Sequence, residues 1–267
     1  MNKKPQLFND IIIETSNFCN RTCNYCPVSH SPRPQGFMSN DTLQMIVQEL
    51  KHIDYSDKIC LNLYNEPLLD KRLCEIIACF KRNLPKTTIY FASNGDFLTL
   101  ELFRNLIKSG LSHIWLTSYD KNNEQSLREM YRRLNKEERQ RLNIRFFPEH
   151  KFLDCRAGSL PELCNKVLRQ DCFRVNHQIC VNWVGQIILC CNDYYATFVL
   201  GNIGRDKLLD VWNSDKIEYV RENLRRKDRS VISLCKQCNA PYDTPKSYFF
   251  ERLAWSAKWL LFPVKKA

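Results

Sequence analysis

The sequence lacks three features that would place a protein in a common class at once. Its first residues, MNKKPQLFND, contain no apolar core for export, so no secretory signal is visible and we expect a cytoplasmic protein. A net charge of +11 would attract nucleic acid, but no recognisable nucleic-acid-binding motif is present, and basic residues alternate with acids except at 221–229 and in the final VKKA. Because that motif is missing, we expect no nucleic-acid partner. An internal repeat is also absent.

Cysteine, in contrast, is abundant, with 14 residues among 267. A reducing compartment keeps thiols free, so a chain without an export signal is expected to use them for metal binding or catalysis rather than for disulfides. The length and the 44% of hydrophobic residues suffice for one large α/β domain with a smaller appendage. Metal or cluster ligation is the leading interpretation of the cysteines.

The first half of the chain alternates short β-rich runs with longer segments of helical period. Strands are predicted at 11–15, 59–64, 87–93, 113–118 and 144–148. Helices are predicted between them at 41–53, 70–83, 98–109 and 123–140. This alternation predicts βα units around a parallel sheet. Functional groups are then expected at the C-terminal ends of the strands, where the loops gather.

The pattern changes after about residue 155. QICVNWVGQIILCCNDYY contains two short apolar runs around Gly185, which predicts a β-hairpin. A helix is predicted at about 207–226, with Ser214 as a candidate cap at which one helix ends and another begins. The second part is therefore expected to be a small appended domain.

Three cysteines lie just past the first predicted strand, in the spacing Cys19-x3-Cys23-x2-Cys26. Zinc usually takes paired C-x2-C units that complete four ligands, and this window has only three thiols. Chance clustering in an apolar core does not suit CNRTCNYC, which is polar between its thiols and lacks core periodicity. A four-iron four-sulfur cluster held by three thiolates leaves one iron open to another ligand, and we favour this interpretation over zinc or chance.

This window, with the aromatic Tyr25 before its last thiol, resembles the signature of the radical S-adenosylmethionine (AdoMet) enzymes. The resemblance implies a partial (β/α) TIM-like barrel, α/β in class, and AdoMet bound to the open iron through its amino and carboxylate groups. It further implies that an electron from the cluster cleaves AdoMet to methionine and a 5′-deoxyadenosyl radical, which abstracts a hydrogen atom from the substrate. Tyr25 is thus a candidate cofactor-binding residue.

Later strand ends contain elements that also resemble those of this family. YNEP is similar to the glycine-glycine-glutamate element, so Glu66 would receive the methionyl ammonium of AdoMet. SNGD is similar to the next element, in which Ser93 and Asn94 would face the cofactor, although a simple Asn-Gly turn fits the same residues. Ser118, at the end of the fourth strand, is the remaining cofactor-binding candidate.

A second cysteine set resembles the SPASM or twitch extension of the same family. Its four members are Cys172, Cys190, Cys235 and Cys238. The companion phrase LGNIGRDKLLDVWNS is also similar, whereas the further cysteines of a second auxiliary cluster are missing after Cys238. The resemblance implies one auxiliary [4Fe-4S] cluster, and so two [4Fe-4S] clusters in all. A structural zinc site is the alternative that C-x2-C alone would permit.

Over nearly its whole length the chain resembles the scyllo-inosamine dehydrogenases of the radical AdoMet family, which act in aminoglycoside biosynthesis. The resemblance implies oxidation of a secondary alcohol to a ketone, with an electron passing to the auxiliary cluster. Arg156 is then a catalytic candidate that orients the hydroxyl and favours the developing alkoxide, with an ordinary loop or cofactor contact as an equal alternative. Ala92, Cys191 and Asn192 depart from the residues expected beside the substrate, so a different sugar, cyclitol or related conjugate is expected.

Three other functions remain open. A radical AdoMet epimerase would use Cys191, the second catalytic candidate, or Cys155 to return a hydrogen atom to the substrate radical. A SPASM enzyme would modify a peptide, although no peptide-recognition domain is visible ahead of the barrel. A non-enzymatic metal-binding module is the last alternative, and it requires that AdoMet not bind.

The predicted organisation is a radical AdoMet barrel over 1–155, an auxiliary-cluster domain over 156–243 and a C-terminal amphipathic helix over 244–267. Within that helix, the aromatic-rich segment 247–263 is too short and too centrally charged to span a membrane. It is expected either to dock on the barrel or to lie at the inner membrane surface, with Trp and Phe in the interface. The expected electron donor is a flavodoxin- or ferredoxin-type protein.

Overall fold

The computed structural model describes residues 7–30, 33–146, 153–164 and 171–240. The strands in chain order are β1 (Asp10–Ile13), β2 (Lys58–Cys60), β3 (Thr88–Ser93), β4 (His113–Ser118), β5 (Leu142–Phe146), β6 (Gln178–Val181), β7 (Gln186–Ile188) and β8 (Val199–Asn202). The helices are α1 (Pro27–His30), α2 (Asn40–His52), α3 (Leu73–Asn83), α4 (Leu100–Lys108), α5 (Lys121–Arg132), α6 (Lys136–Gln140), α7 (Leu208–Trp212), α8 (Asp215–Arg225) and α9 (Ser233–Lys236). Strands and helices thus alternate through the first half, as the sequence predicts.

The eight strands form one open mixed sheet in the order β5-β4-β3-β2-β1-β6-β7-β8. Neighbouring strands from β5 to β1 pair parallel, and β6 pairs parallel with β1 on its other side. β7 and β8 are antiparallel additions beyond β6. Because parallel strands end at the same edge of a sheet, the loops that follow β1 to β4 lie side by side. The predicted α/β class is confirmed.

Helices cover one face of this sheet. Ile11 and Ile13 on β1 and Phe91 on β3 point into a core that they share with the helices. Ile12 and Tyr90 alternate with them and belong to a separate cluster on the opposite face. Full burial of one large apolar side chain stabilises a fold by roughly 1.5–3 kcal/mol, so the helix-covered layer holds the sheet in place.

Side-chain caps fix where three helices begin. Ser39, Thr99 and Asp120 precede α2, α4 and α5, and each side chain accepts a hydrogen bond from a backbone N–H of the first turn. One such cap contributes about 1 kcal/mol. Asp120 lies two residues after β4, so its cap also sets the path of the chain at that strand end.

The structure differs from the sequence predictions in three places. The helix predicted over 123–140 is two helices, because Asn135 opens α6 with a capping box. β8 is not predicted, since Gly201 interrupts its apolar pattern. The appended hairpin is not separate from the barrel, because β6 extends the same sheet beside β1.

Two local predictions in the second part are confirmed. β6 and β7 form a hairpin around Gly185, whose φ of +84° suits glycine, and Ser214 separates α7 from α8. Within the described ranges, no helix is long and apolar enough to cross a membrane. The helix predicted over 244–267, with its segment 247–263, lies outside the described residues.

Candidate active site

Three thiols follow β1 on a loop at the C-terminal edge of the sheet. Cys19, Cys23 and Cys26 are each half-buried, and the Cys26 N–H donates to the Cys23 carbonyl oxygen at 3.0 Å. Burial raises the pKa of the Cys19 thiol, and the nearby charges of Glu66, Cys26 and Cys23 raise it further. The structure therefore brings the three predicted ligands together, with Glu66 beside them.

An arginine holds this loop against two neighbouring strand ends. The Arg21 guanidinium donates to both carboxylate oxygens of Asp96, at 2.7 and 2.5 Å, and to Asp120 at 2.8 Å. It also lies 5.2 Å from the centroid of the Tyr119 ring, which stacks on Tyr25 with 6.3 Å between centroids. Tyr25 thus packs against the end of β4. Sequence reasoning missed Arg21 and its two carboxylates.

Glu66 is buried between the cysteine loop and β3. Its backbone N–H donates to the Phe18 carbonyl oxygen at 2.7 Å. Its carboxylate accepts from Ser93 Oγ at 2.7 Å, from the Asn94 N–H at 2.9 Å and from the Leu68 N–H at 3.0 Å. Burial raises the pKa of Glu66, and these hydrogen bonds oppose the rise. Because a carboxylate has about four acceptor positions, these three donors leave room for one N–H of an ammonium group.

The end of β3 is tied to the cysteine loop. Asn94 Nδ2 donates to Asn20 Oδ1 at 2.8 Å, and Asn94 Oδ1 accepts from the Asp96 N–H at 2.9 Å. Gly95 has a φ of +75°, so the Asn-Gly turn considered from the sequence is present. The Ser93 hydroxyl, which donates to Glu66, accepts from the Gly95 N–H at 2.9 Å. The turn and the contact with the cysteine loop therefore occur together.

Ser118 at the end of β4 adds a hydroxyl group to this edge of the sheet, and Arg145 near the end of β5 adds a guanidinium group. Ser118 is 2% exposed, and its hydroxyl donates to the Asp120 carbonyl oxygen at 3.3 Å. Arg145 pairs with Thr117 in the strand register, is exposed, and has its guanidinium 5.1 Å from the centroid of the Trp115 ring. Sequence reasoning missed Arg145 as well. Its guanidinium is suited to a carboxylate of a ligand at this edge.

The second cysteine set lines one cavity in the C-terminal part. The thiol-bearing residues of that cavity are Cys172, Cys190, Cys235 and Cys238. Burial raises the pKa of Cys190 well above its usual value and that of Cys235 to about 12, and neighbouring thiols raise both further. Thiolates this close together are unfavourable unless a cationic centre neutralises them. The donor set therefore fits a metal cluster.

Both sets of cysteines suit an iron-sulfur cluster better than a single metal ion. Among the described residues, no group of three or more His, Cys, Asp or Glu side chains is close enough to hold one metal ion. A [4Fe-4S] cluster binds each cysteine at a different iron, so its ligands are farther apart than those of one zinc ion. The absence of a single-ion site among the described residues is compatible with that arrangement.

Arg156 links the auxiliary cysteine set to the rest of the site. Its guanidinium donates to Asn192 Oδ1 at 3.4 Å and lies 3.6 Å from the Asp154 carboxylate. The Asn192 N–H lies 3.4 Å from Cys190 Sγ, and its side-chain amide lies 4.0 Å from Cys238 Sγ. The arginine is therefore held by a residue that itself contacts two predicted ligands.

The same arginine also lies near the first thiol group. Burial raises the pKa of Cys26, and the positive charge of Arg156 opposes that rise. The backbone is unusual here, with φ of +47° at Arg156, +51° at Ala157 and +93° at Gly158. Left-handed residues other than glycine cost about 1 kcal/mol or more and cluster at functional sites. Arg156 thus lies between the first set of cysteines and the auxiliary set, on a strained turn.

The two cysteines considered as hydrogen-atom donors lie in different surroundings. Cys191 is half-buried, its Sγ accepts from Arg174 Nη1 at 3.0 Å, and it packs near Ile12 on the sheet face opposite the helices. Cys155 is 0% exposed, and its thiol donates to the Gln237 carbonyl oxygen at 3.0 Å. Cys191 therefore faces the inner side of the sheet, whereas Cys155 faces the C-terminal cysteine segment.

An open barrel sheet with three thiols after its first strand and four more in an appended part defines an iron-sulfur protein of the α/β-barrel class. The sequence profile of the Radical SAM superfamily matches residues 13–155, and that of SPASM, an iron-sulfur cluster-binding domain, matches residues 172–239. The chain belongs to the Radical SAM superfamily. Membership implies a [4Fe-4S] cluster and AdoMet, and the SPASM match implies further iron-sulfur binding, which confirms the predicted family and cofactors.

Individual relatives cover almost the whole chain. The S-adenosyl-L-methionine-dependent 2-deoxy-scyllo-inosamine dehydrogenase of Niallia circulans is 28% identical over 238 residues, which are 88% of this chain and 94% of the relative. The crystal structure of BtrN in complex with AdoMet and 2-DOIA is similar with a TM-score of 0.81, 28% identity and coverage of 90% of this chain and 96% of BtrN. BtrN in an open conformation gives a TM-score of 0.72 at 25% identity, over 93% of this chain and 99% of that one.

Proposed function

We propose that this chain is a radical AdoMet dehydrogenase that oxidises a secondary alcohol of a sugar, cyclitol or related conjugate to a ketone. The observation that carries the proposal is the position of Arg156, near Cys26 on one side and bonded to Asn192, which contacts Cys190, on the other. The similarity to a 2-deoxy-scyllo-inosamine dehydrogenase over 88% of the chain supports the same reaction class.

The cluster ligands follow from the two thiol groups. Cys19, Cys23 and Cys26 would hold the AdoMet-binding cluster, and Cys172, Cys190, Cys235 and Cys238 the auxiliary one. When bound, these groups supply one-electron chemistry, namely hydrogen-atom abstraction from the substrate and acceptance of an electron from it. The contribution of this chain is to hold the two groups on either side of one substrate position.

AdoMet would bind along the ends of β2 to β5. Glu66 would accept an N–H of the methionyl ammonium at its remaining acceptor position, and Arg145 would pair with the methionyl carboxylate. The other proposed cofactor-binding residues are Tyr25, Ser93, Asn94 and Ser118. The contacts of Ser93, Asn94 and Tyr25 within the chain fix the positions of Glu66 and of the cysteine loop.

The substrate would lie against Arg156. Its guanidinium stays protonated, so it binds the hydroxyl oxygen and stabilises the negative charge that develops there as the O–H proton leaves. Asp154 and Asn192 orient the guanidinium from two sides. Among the described residues beside Arg156, Asn192 is uncharged and Asp154 already faces the guanidinium, so a substrate amine would find no unpaired carboxylate among them. We therefore favour a hydroxyl-bearing ring over an aminocyclitol.

Anaerobic turnover with cyclitols and sugars in deuterated water tests this function. The expected result is one ketone and one 5′-deoxyadenosine per substrate consumed, with no deuterium on the substrate carbon. Deuterium on that carbon without a carbonyl product would instead identify an epimerase that uses Cys191 or Cys155. Reduced, iron-loaded protein that forms no 5′-deoxyadenosine with or without these substrates would contradict the whole proposal.

The proposed domain organisation is a barrel over 1–155, an auxiliary-cluster domain over 156–243 and a helix over 244–267. The pairing of β6 with β1 supports close association of the first two.

A flavodoxin- or ferredoxin-type donor would supply electrons, and the net charge of +11 suits such an acidic protein. Contact of 247–263 with a membrane surface is proposed from its aromatic and basic sequence alone.

A further inference from the structure

Glu14 and Arg33 form a buried ion pair where several elements meet. Neither residue is among the site residues predicted from the sequence. Glu14 lies one residue beyond β1 and is 0% exposed. Its Oε1 accepts from the Arg33 guanidinium at 2.5 Å and from the Tyr64 N–H at 3.3 Å, and its Oε2 accepts from the Trp183 N–H at 3.2 Å. The carboxylate therefore connects the β1 end, the loop after the first thiols, the segment after β2 and the turn between β6 and β7.

Arg33 extends this connection to the segment that carries the auxiliary thiols. Its Nη1 donates to the Tyr194 carbonyl oxygen at 3.1 Å, and its guanidinium carbon lies 4.3 Å from the centroid of the Tyr194 ring. The Tyr64 ring lies 5.6 Å from the same carbon and meets the Tyr194 ring edge-on at 4.9 Å. Tyr194 is four residues after Cys190, and Arg33 is seven residues after Cys26. One side chain thus joins the two ligand-bearing segments.

The connection through Arg33 also lies close to Cys26, a predicted ligand of the first cluster. The positive charges of Arg33 and Arg156 both act on the Cys26 side chain, so both guanidinium groups lie close to it. Arg33 is held closely by Glu14 and Tyr194, whereas the contacts of the Arg156 guanidinium with Asn192 at 3.4 Å and with Asp154 at 3.6 Å are longer.

Stability alone does not account for this arrangement. A buried ion pair is weak evidence for stability, because well-packed apolar side chains often serve as well. A lysine would neutralise Glu14, but the planar guanidinium of Arg33 pairs with the carboxylate, donates to a carbonyl oxygen and stacks on an aromatic ring at once. These simultaneous contacts fix the geometry between elements that are distant in sequence.

We propose that Arg33 is a positioning residue that sets the placement of the Cys190 segment relative to Cys26 and thereby keeps substrate oxidation coupled to AdoMet cleavage. The part of this proposal that concerns coupling rests on the proposed function, whereas the part that concerns placement does not. An alcohol becomes a ketone by losing a hydrogen atom, a proton and an electron. If the placement changes, the hydrogen atom still leaves but the electron passes to the auxiliary cluster more slowly; the substrate radical then takes an electron from the external one-electron donor and a proton from water, which restores the alcohol, so AdoMet is consumed without product.

The test compares Arg33→Lys with Arg104→Lys in the full-length, iron-loaded protein. Arg104 is a matched control, because it also pairs with a carboxylate, Glu138 at 2.8 Å, but is 52% exposed and far from both thiol groups in sequence. The measurements are iron content, the dipolar interaction between the two reduced clusters by electron paramagnetic resonance, and the ratio of 5′-deoxyadenosine to ketone. We expect both variants to retain about eight irons.

Of these two variants, Arg33→Lys alone should alter the dipolar interaction, and it should raise the ratio of 5′-deoxyadenosine to ketone roughly tenfold, because small misplacements in an active site are costly. Tyr194→Leu removes the stacked ring, keeps the ion pair and should alter the dipolar interaction in the same way. An unchanged dipolar interaction in Arg33→Lys would overturn the proposal, and so would loss of iron from it. Since the dipolar measurement needs no substrate, failure of the wild type to form a ketone would count against the proposed function alone.

Discussion

The Arg156 guanidinium meets the side-chain oxygen of Asn192 at 3.4 Å, and the two residues approach from different segments. Asn192 follows Cys190 by two residues, while the charge of Arg156 reaches Cys26. The Asp154 carboxylate at 3.6 Å balances the arginine only in part, because that distance is long for an ion pair. In the proposed reaction, the pair would present a fixed positive charge to the substrate oxygen that becomes negative between the two clusters.

Replacement of Arg156 by glutamine should separate product formation from AdoMet cleavage. The neutral amide still donates hydrogen bonds but no longer stabilises a developing alkoxide, so we expect ketone formation to fall on the order of 100-fold. The iron content and the AdoMet-induced spectral change should stay as in the wild type. Arg128→Gln, in a surface pair with Glu124, is the control. Equal ketone formation in the two variants would assign Arg156 to an ordinary loop.

The sequence was sufficient to predict features that depend on local patterns. The strands β1 to β5 follow from short apolar runs between helical segments, and the thiol groups follow from cysteine spacing. The contact between Arg21 and Asp96 spans 75 positions, and many arginines and carboxylates of the chain would fit it equally well. The pairing of β6 with β1 was missed because the pattern of a hairpin does not indicate what lies beside it.

Glu66→Gln should weaken AdoMet binding without loss of the first cluster. The glutamine oxygen can still accept from Ser93, but the Asn94 N–H would meet an amide NH2 or a rotated side chain, and the charge that attracts an ammonium is gone. We expect a rise in the AdoMet dissociation constant of roughly tenfold or more. The AdoMet-dependent change in the spectrum of the reduced cluster measures it. Glu124→Gln, which should bind AdoMet normally, is the control, and equal affinities would exclude the proposed ammonium contact.

Substitution in the auxiliary set should remove one cluster and leave the other. Cys190→Ala and Cys238→Ala should each lower the iron content from about eight to about four per chain. Cys180→Ala, at a buried cysteine outside both sets, should retain about eight. Cleavage of AdoMet should persist in the two depleted variants while ketone formation is lost. A wild-type protein that contains only about four irons together with zinc would contradict the second iron-sulfur cluster.

Asp10 gives the folded protein a predictable dependence on pH. Burial raises the pKa of its carboxyl from 3.8 to about 6, against the opposing effects of Lys58 and of the Tyr90 hydroxyl, which donates to it at 2.8 Å. The folded state therefore binds this proton more tightly than the unfolded state does. The corresponding stabilisation is complete below about pH 4 and is lost as the pH rises through about 6. Its size, from the two pKa values, is roughly 3 kcal/mol.

Asp10→Asn should remove this dependence, because an amide does not titrate. Relative to the wild type, the variant should gain unfolding free energy between pH 4 and pH 7 by an amount approaching roughly 3 kcal/mol. Anaerobic denaturant or thermal unfolding across that range measures the difference. Asp54→Asn is a suitable control, since Asp54 is exposed and its φ of +49° is also acceptable to asparagine. A constant difference between Asp10→Asn and the wild type at all pH values would show that folding does not shift the pKa of Asp10.

The C-terminal segment 247–263 offers a test of membrane contact that is independent of catalysis. SYFFERLAWSAKWLLFP carries Trp and Phe, which favour the membrane interface, and the lysines and arginine near it favour anionic headgroups. The full chain should float with anionic vesicles in a density gradient, and a chain that ends at Asp243 should stay with the soluble fraction. Flotation should weaken with neutral vesicles and at high salt, because the charge contribution is then removed or screened. Equal recovery of both chains from the soluble fraction would assign the segment to the protein itself, since the apolar side chains would then be buried there.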